Sequence, residues 1–291
     1  MGGTRYVRLC LRDGRGMPIC EAAPSSTACR PLSNWRARAY WFVSNNWELV
    51  KRSLRHIRRD PDQVSVTVQP LILVIAFRYF FGGAVRTGGT ESYINFLMAG
   101  IFIETAAISS TTTATSVAAD MAEGVMERFR VLPMAKSAVL ASHTVAGLAR
   151  SLIGTVVMVG AGLAVGFRPS AGVGPWAVAI GVTLLVTFSL SWVAAVLGLL
   201  ARSVEAVQQI AMVLVIPIFA SSAFVPTRTM PGWVQVVVVN QPMTQAIDAV
   251  RDELLDLPVG DHLGLALAWF GAILVAAFGT AGYLLSRRAS L

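Results

Sequence analysis

Apolar residues gather into six runs of membrane-spanning length, at 64–84, 93–117, 137–165, 176–201, 207–224 and 263–285. About 20 mostly apolar residues, rising about 1.5 Å each, cross a hydrocarbon core roughly 30 Å thick. Each run therefore predicts a transmembrane helix, and the fold class is an all-α membrane protein with six spans. The third run is long enough to tilt or to extend into water. The fifth holds Pro217, which predicts a kink and a freed carbonyl that neighbours must satisfy.

The polar stretches between the runs are patterned too. Over 46–59, Trp47, Val50, Leu54 and Ile57 recur on one helical face, with Lys51, Arg52, Arg55, Arg58 and Arg59 on the rest. Asn45 and Glu48 have capping-box spacing, and Asp60-Pro61 ends the helix. A basic amphipathic helix of this kind lies in the membrane interface. The predicted organisation is a disordered extension at 1–43, the interfacial helix at 44–62 and a six-span domain at 63–288. The inner connection 118–136 is amphipathic and mixed in charge. The outer connection 226–262 is too long for a turn. It carries Trp233, an apolar run at 234–239 and Asn240-Gln241-Pro242-Met243-Thr244, then a stripe of Ile247, Val250 and Leu254. That pattern predicts a re-entrant segment dipping into the outer leaflet.

Composition sharpens this reading. Charged residues are 14% and apolar residues 55%, against roughly 25% charged in soluble domains. Disorder, a coiled coil and most soluble enzymes are excluded. The net charge of +8 is unevenly placed, because residues 1–63 hold 12 of the 24 Lys/Arg. With the N-terminus inside, the cytoplasmic side also receives Arg128, Arg130, Lys136, Arg202, Arg287 and Arg288. The outer side receives only Arg86, Arg168, Arg228 and Arg251, while Arg78 and Arg150 fall within spans. By the positive-inside rule the chain is a multi-pass protein of the plasma (inner) membrane with both termini cytoplasmic. The charge thus signals topology. No aromatic-basic readout motif accompanies it, and no nucleic-acid partner is expected.

Candidate chemistry is sparse. Cys10, Cys20 and Cys29 read as free thiols, since their spacing fits no zinc pattern. A P-loop needs Gly-Lys-Ser/Thr, but Val50 precedes Lys51 and Ala135 precedes Lys136. The chain is therefore not expected to hydrolyse ATP. His56, His143 and His262 are isolated, and neither a catalytic set nor a metal site is predicted. Within the spans lie Arg78, Glu104 and Arg150. A charge at mid-bilayer costs about 3 kcal/mol even on the lenient insertion scale, so Glu104 is expected to pair with Arg150 or Arg78. Such a pair either fixes helix packing or forms a polar element of a translocation path. Span two also carries Ser109, Ser110, Thr111, Thr112, Thr113, Thr115 and Ser116. These hydroxyls either satisfy helix carbonyls or line a substrate face. Gly162 with Gly166, and Gly264 with Gly271, suggest close helix contacts.

Two stretches carry a resemblance. The first is Glu123-Gly124-Val125-Met126-Glu127-Arg128-Phe129-Arg130-Val131-Leu132-Pro133-Met134, followed by a long helix ending in Gly166-Phe167-Arg168. The second runs from Asn240-Gln241-Pro242-Met243-Thr244 to Ala249-Val250-Arg251. With the basic interfacial helix and the Pro-containing fifth span, they resemble the membrane subunit of ABC-2 type exporters, in the daunorubicin-resistance (DrrB-like) permease branch. The likeness covers about residues 44–288. It implies that 123–134 is a coupling helix docking on a separate ABC ATPase subunit through Glu123, Glu127, Arg128, Phe129, Arg130 and Pro133. It implies that Trp233, Asn240 and Pro242 belong to the outer re-entrant segment. It further implies a second permease subunit, identical or related, and no cofactor in this chain, with ATP and Mg held by the partner. The expected function is export of an amphipathic drug, antibiotic or lipid across membrane lipid. An ion-coupled secondary transporter and a non-transporting membrane scaffold are the rival readings.

Overall fold

The computed structural model describes residues 61–81, 92–122, 136–201, 203–257 and 260–287. Among the described residues every regular element is helical, as the apolar periodicity requires. In chain order they are α1 (Pro61–Ala76, running into a π turn at Phe77–Phe81), α2 (Tyr93–Ala122), α3 (Lys136–Val165) and α4 (Val173–Leu200). Then come α5 (Val204–Ala211), a 3-10 turn at Met212–Leu214, α6 (Ile216–Phe219) and a 3-10 turn at Thr227–Thr229. Last are α7 (Gly232–Asn240), α8 (Pro242–Leu254) and α9 (His262–Arg287). The interfacial helix expected at 46–59 and the coupling segment 123–134 lie outside the described residues.

Among the described residues four helices are long and apolar enough to cross a membrane: Tyr93–Ala122, Leu140–Val165, Val173–Leu200 and His262–Leu284. The first and fifth runs yield shorter apolar stretches, Val66–Phe80 and Val204–Phe219. α1 stays helical through Pro70 and into the π turn, so that proline does not end it. In the fifth run proline does interrupt the helix. Pro217 opens α6. Its missing N–H interrupts the ladder, and tighter bonds take over, Val215 N–H to Met212 O at 2.9 Å and Ile218 N–H to Val215 O at 3.1 Å. The fifth run is therefore broken rather than merely kinked.

The bundle is organised around α2, which is buried along most of its length. Glycines set its distance to its neighbours. A β-carbon at Gly147 would lie 2.7 Å from Thr113 Oγ1, one at Gly154 2.7 Å from Thr105 Cγ2, and one at Gly162 2.7 Å from Met98 Cε. These contacts run in opposite chain order, so α3 lies antiparallel along α2. A β-carbon at Gly198 would meet the Ala114 carbonyl at 2.7 Å, which brings α4 equally close. One at Gly100 would meet the Ala223 backbone at 2.8 Å, which seats the broken fifth segment on α2. In lipid such contacts, with interhelical hydrogen bonds, are what hold helices together.

Of the glycines marked as contact candidates, only Gly162 makes a close approach. Gly264 and Gly271 face open space. Gly166 has another task, since its φ of +105° ends α3. Gly166 N–H bonds Leu163 O at 3.3 Å and Phe167 N–H bonds Gly162 O at 2.8 Å. That is a Schellman ending. It turns Phe167 inward, edge-on to both Phe102 and Trp176. Asn95 then exchanges hydrogen bonds with the Arg168 backbone, at 3.2 and 3.0 Å, and ties the same ends of α2 and α3.

A matched pair of substitutions tests the glycine spacing. Gly198→Ala should destabilise by about 1–3 kcal/mol, because the obstructing atom is backbone and cannot swing aside. Gly271→Ala should be neutral or stabilise by up to about 1 kcal/mol, the gain in helix propensity. Thermal unfolding of the detergent-purified protein reads both. Equal midpoints for the two variants would show that the α2–α4 approach does not limit stability.

Candidate functional site

Polar side chains concentrate in two places. The first is the seam of α2, α3 and α4. The helical spacing of Thr105, Ser109 and Thr113 lines them up on the α2 face toward α3. Ser109 Oγ donates across to Gly147 O at 2.8 Å. Ser151 and Thr187 join α3 to α4 at 2.8 Å, and Ser110 Oγ lies 3.5 Å from Ser191 Oγ. Most other hydroxyls of span two turn back on their own helix. Thr111, Thr112 and Thr113 donate to Ile108, Ser109 and Ser109 carbonyls, and Thr115 and Ser116 both donate to Thr112 O. Of the two uses open to these hydroxyls, satisfying carbonyls is the one seen.

Two ionisable groups lie in this seam. Arg150 is 5% exposed, and its Nη2 donates to Thr113 Oγ1 at 3.4 Å. Glu104 is 0% exposed, and neither carboxylate oxygen has a hydrogen-bond partner among the described residues. The expected pairing of Glu104 with Arg150 or Arg78 is therefore not formed. Helical geometry gives the reason. Glu104 precedes Thr105 by one residue, about 100° around the helix, so it points away from the α3-facing stripe that Arg150 meets. It lies one turn on from Gly100, on the side where α2 touches Ala223. Arg78 is half-buried in the π turn at Phe77–Phe81, beside the exposed Tyr79 and Phe80.

The second polar site is a clamp formed by α8 and the broken fifth segment. Arg251 is 7% exposed. Its Nη2 donates to Ser222 O at 2.7 Å, its Nε to Phe96 O at 3.3 Å, and its Nη1 pairs with Asp248. The guanidinium carbon sits 3.8 Å from the Phe96 ring centroid. Ser222 Oγ donates to the same Asp248 carboxylate at 2.7 Å. One side chain thus holds α8 to the start of α2 and to the turn after α6. Tyr93 adds a bond to Phe224 O at 2.9 Å, and Phe224 stacks between Phe77 and Phe219.

The break at Pro217 is sealed by Gln241. Its amide donates to Pro217 O at 3.2 Å, to Ala220 O and to Thr244 Oγ1. Gln245 donates to Val239 O at 2.6 Å and meets His262 Nδ1 at 2.9 Å, joining α7, α8 and α9. Burial pushes the Asp252 carboxyl above its ordinary range, and nearby His262 pulls the other way.

The residues singled out beforehand in this region have lesser roles. Asn240 Nδ2 bonds only Val236 O of its own helix, at 2.8 Å. Pro242 starts α8, where its missing N–H costs nothing. Trp233 is 78% exposed. The residues that do the holding are Gln241, Gln245, Asp248 and Arg251. Two signals could have found them. Asp248 and Arg251 have i,i+3 spacing on one helix, and the Pro217 break creates a demand for donors.

At the other end of the bundle, His143 Nε2 lies 2.7 Å from Asp120 Oδ2. The pair joins α2 and α3 where they enter and leave the 123–135 segment. Glu123, Glu127, Arg128, Phe129, Arg130 and Pro133 lie in that segment, outside the described residues. Among the described residues no cluster of His, Cys, Asp and Glu is suited to a metal.

Comparison with known proteins adds a family. The model described as "ABC-2 type transporter" matches residues 44–255. The chain is 34% identical over 229 residues to the "Daunorubicin resistance ABC transporter permease protein DrrB1" of Streptomyces coeruleorubidus, covering 78% of this chain and 80% of the relative. It is 27% identical over 235 residues to the "Probable doxorubicin resistance ABC transporter permease protein DrrC" of Mycobacterium tuberculosis, covering 80% and 85%.

The clamp makes a prediction. Arg251→Ala should cost about 3–5 kcal/mol, because it strands a part-buried Asp248 and the Ser222 carbonyl. Arg251→Lys should recover only part of that, since an ammonium cannot reach three acceptors from one plane. Both are read from thermal unfolding in detergent. A lysine variant as stable as wild type would mean that charge alone, and not the forked geometry, holds α8.

Proposed function

The chain belongs to the ABC-2 type transporter family, and on that premise we propose that it is the permease subunit of an ATP-driven exporter of amphipathic drugs, antibiotics or lipids. The observation that carries this reading is the family match itself, which runs across the α1–α8 bundle and includes the coupling segment. The two relatives are named for daunorubicin and doxorubicin resistance, which favours an amphipathic cargo.

In this reading the six spans are the four long helices with Val66–Phe80 and Val204–Phe219, and both termini face the cytoplasm of a plasma membrane. The helix–break–helix of α7 and α8 forms the re-entrant outer segment. The burial of α8 against α2, α4 and α9 supports this. So does the apolar face that α7 leaves exposed through Trp233, Val236 and Val237, which suits lipid or a second permease subunit.

ATP and Mg belong to a separate ATPase subunit. Its closure moves the 123–134 segment, through Glu123, Glu127, Arg128, Phe129, Arg130 and Pro133. The His143–Asp120 contact couples the two helices leaving that segment, so α2 and α3 shift together. The outward state is then favoured because the ATP-bound partner binds it better, as any conformational switch requires.

Co-expression with the ATPase subunit tests this. Glu127→Arg and Arg128→Glu should each abolish co-purification and bring ATP-dependent export to background. A complex that survives both charge reversals counts against the coupling assignment. Export that ignores ATP and collapses with a protonophore would indicate ion coupling instead.

A further inference from the structure

Glu104 is the buried group that the packing leaves unused. It lies 11 residues into α2, about 16 Å along the helix and so near the middle of the bilayer. It is 0% exposed, and both its oxygens are without a donor. The hydroxyls near it in sequence have already spent their protons. Thr105 Oγ1 donates to Ile101 O at 2.8 Å, Ser109 Oγ to Gly147 O at 2.8 Å and Ser110 Oγ to Ala106 O at 2.9 Å. None of these hydroxyl protons is left for the carboxylate. A ligand that suits this setting brings its own N–H donors and a positive charge. The apolar side chains of Leu97, Ile101 and Ile108 on the same helix suit the rest of such a molecule.

We propose that Glu104 receives the protonated amine of a cationic amphipathic cargo during transport. The inference rests on the export reading above and specifies the cargo class. The amine donates to the carboxylate, and its hydrophobic body lies along α2. Access requires α2 to part from a neighbour. The broken fifth segment is seated on the Gly100 side of α2, so its parting has to release the Arg251 and Tyr93 bonds that tie it there.

The test compares a fluorescent amphiphile bearing one aliphatic amine with its uncharged N-acetyl derivative. Both are given to inside-out vesicles containing the full chain and its ATPase subunit. Wild type should take up the amine with a KM about tenfold below that of the N-acetyl form, the worth of one charge-assisted contact. Glu104→Gln, which keeps shape and removes charge, should raise the amine KM about tenfold and leave the N-acetyl KM unchanged. Equal KM values for the two probes in wild type, or an equal change for both in the variant, would overturn the assignment. Should Glu104→Gln fail to assemble, Glu104→Asp keeps the charge but shortens its reach. It should raise the amine KM alone, and an unmoved amine KM would overturn the proposal. If wild type moves neither probe with ATP, the export reading itself falls and takes this one with it.

Discussion

Inside hydrocarbon a backbone carbonyl has no water to turn to. Most of what distinguishes this bundle follows from that. Unbroken helices meet the demand by themselves, as α2, α3, α4 and α9 do. Wherever the ladder is interrupted, another part of the chain must supply the donor. Pro217 breaks the fifth run, and Gln241 reaches back from the start of α8 to cover the Pro217 and Ala220 carbonyls. Arg251 does the same for the Ser222 carbonyl. Irregular backbone and the α8 clamp are thus two halves of one arrangement, and neither is tolerable alone.

The same constraint shapes the seam of α2, α3 and α4. Glycines at 147, 154, 162 and 198 let backbones approach so closely that hydroxyls can bridge them. Each bridge is weak, on the order of 1 kcal/mol, but each also removes a polar group from lipid. Glu104 stands out against this background of satisfied groups. Among the described residues nearly every hydroxyl of span two has a partner, while this buried carboxylate has none.

Some of this was legible in the sequence. The apolar runs predicted the helices well where they were long and uninterrupted, and 93–117 and 137–165 match α2 and α3 closely. They did less well at 207–224, where proline broke the helix. Hydropathy counts apolar side chains and takes no account of a missing N–H. The motif ending in Arg251 spans the clamp region, but within it Asn240 bonds its own helix and the neighbouring Gln241 makes the crossing. Nothing local distinguishes a glutamine bonded to its own helix from one that crosses 24 residues to Pro217 O.

The sequence by itself determined what the solvent decides. A low charge, long apolar runs and lopsided arginines dictate helices in a membrane, because transfer to lipid is a property of each segment on its own. Tertiary structure alone decided who pairs with whom. Glu104 and Arg150 are both buried charges of opposite sign, and composition argued that they should meet. The close packing at Gly147 and Gly154 fixes the register and rotation of α3 on α2. That rotation gives Arg150 to Thr113 and turns Glu104 toward the broken fifth segment. A rotation of about 100° per residue is invisible to charge counting, and it decides which side chains can touch.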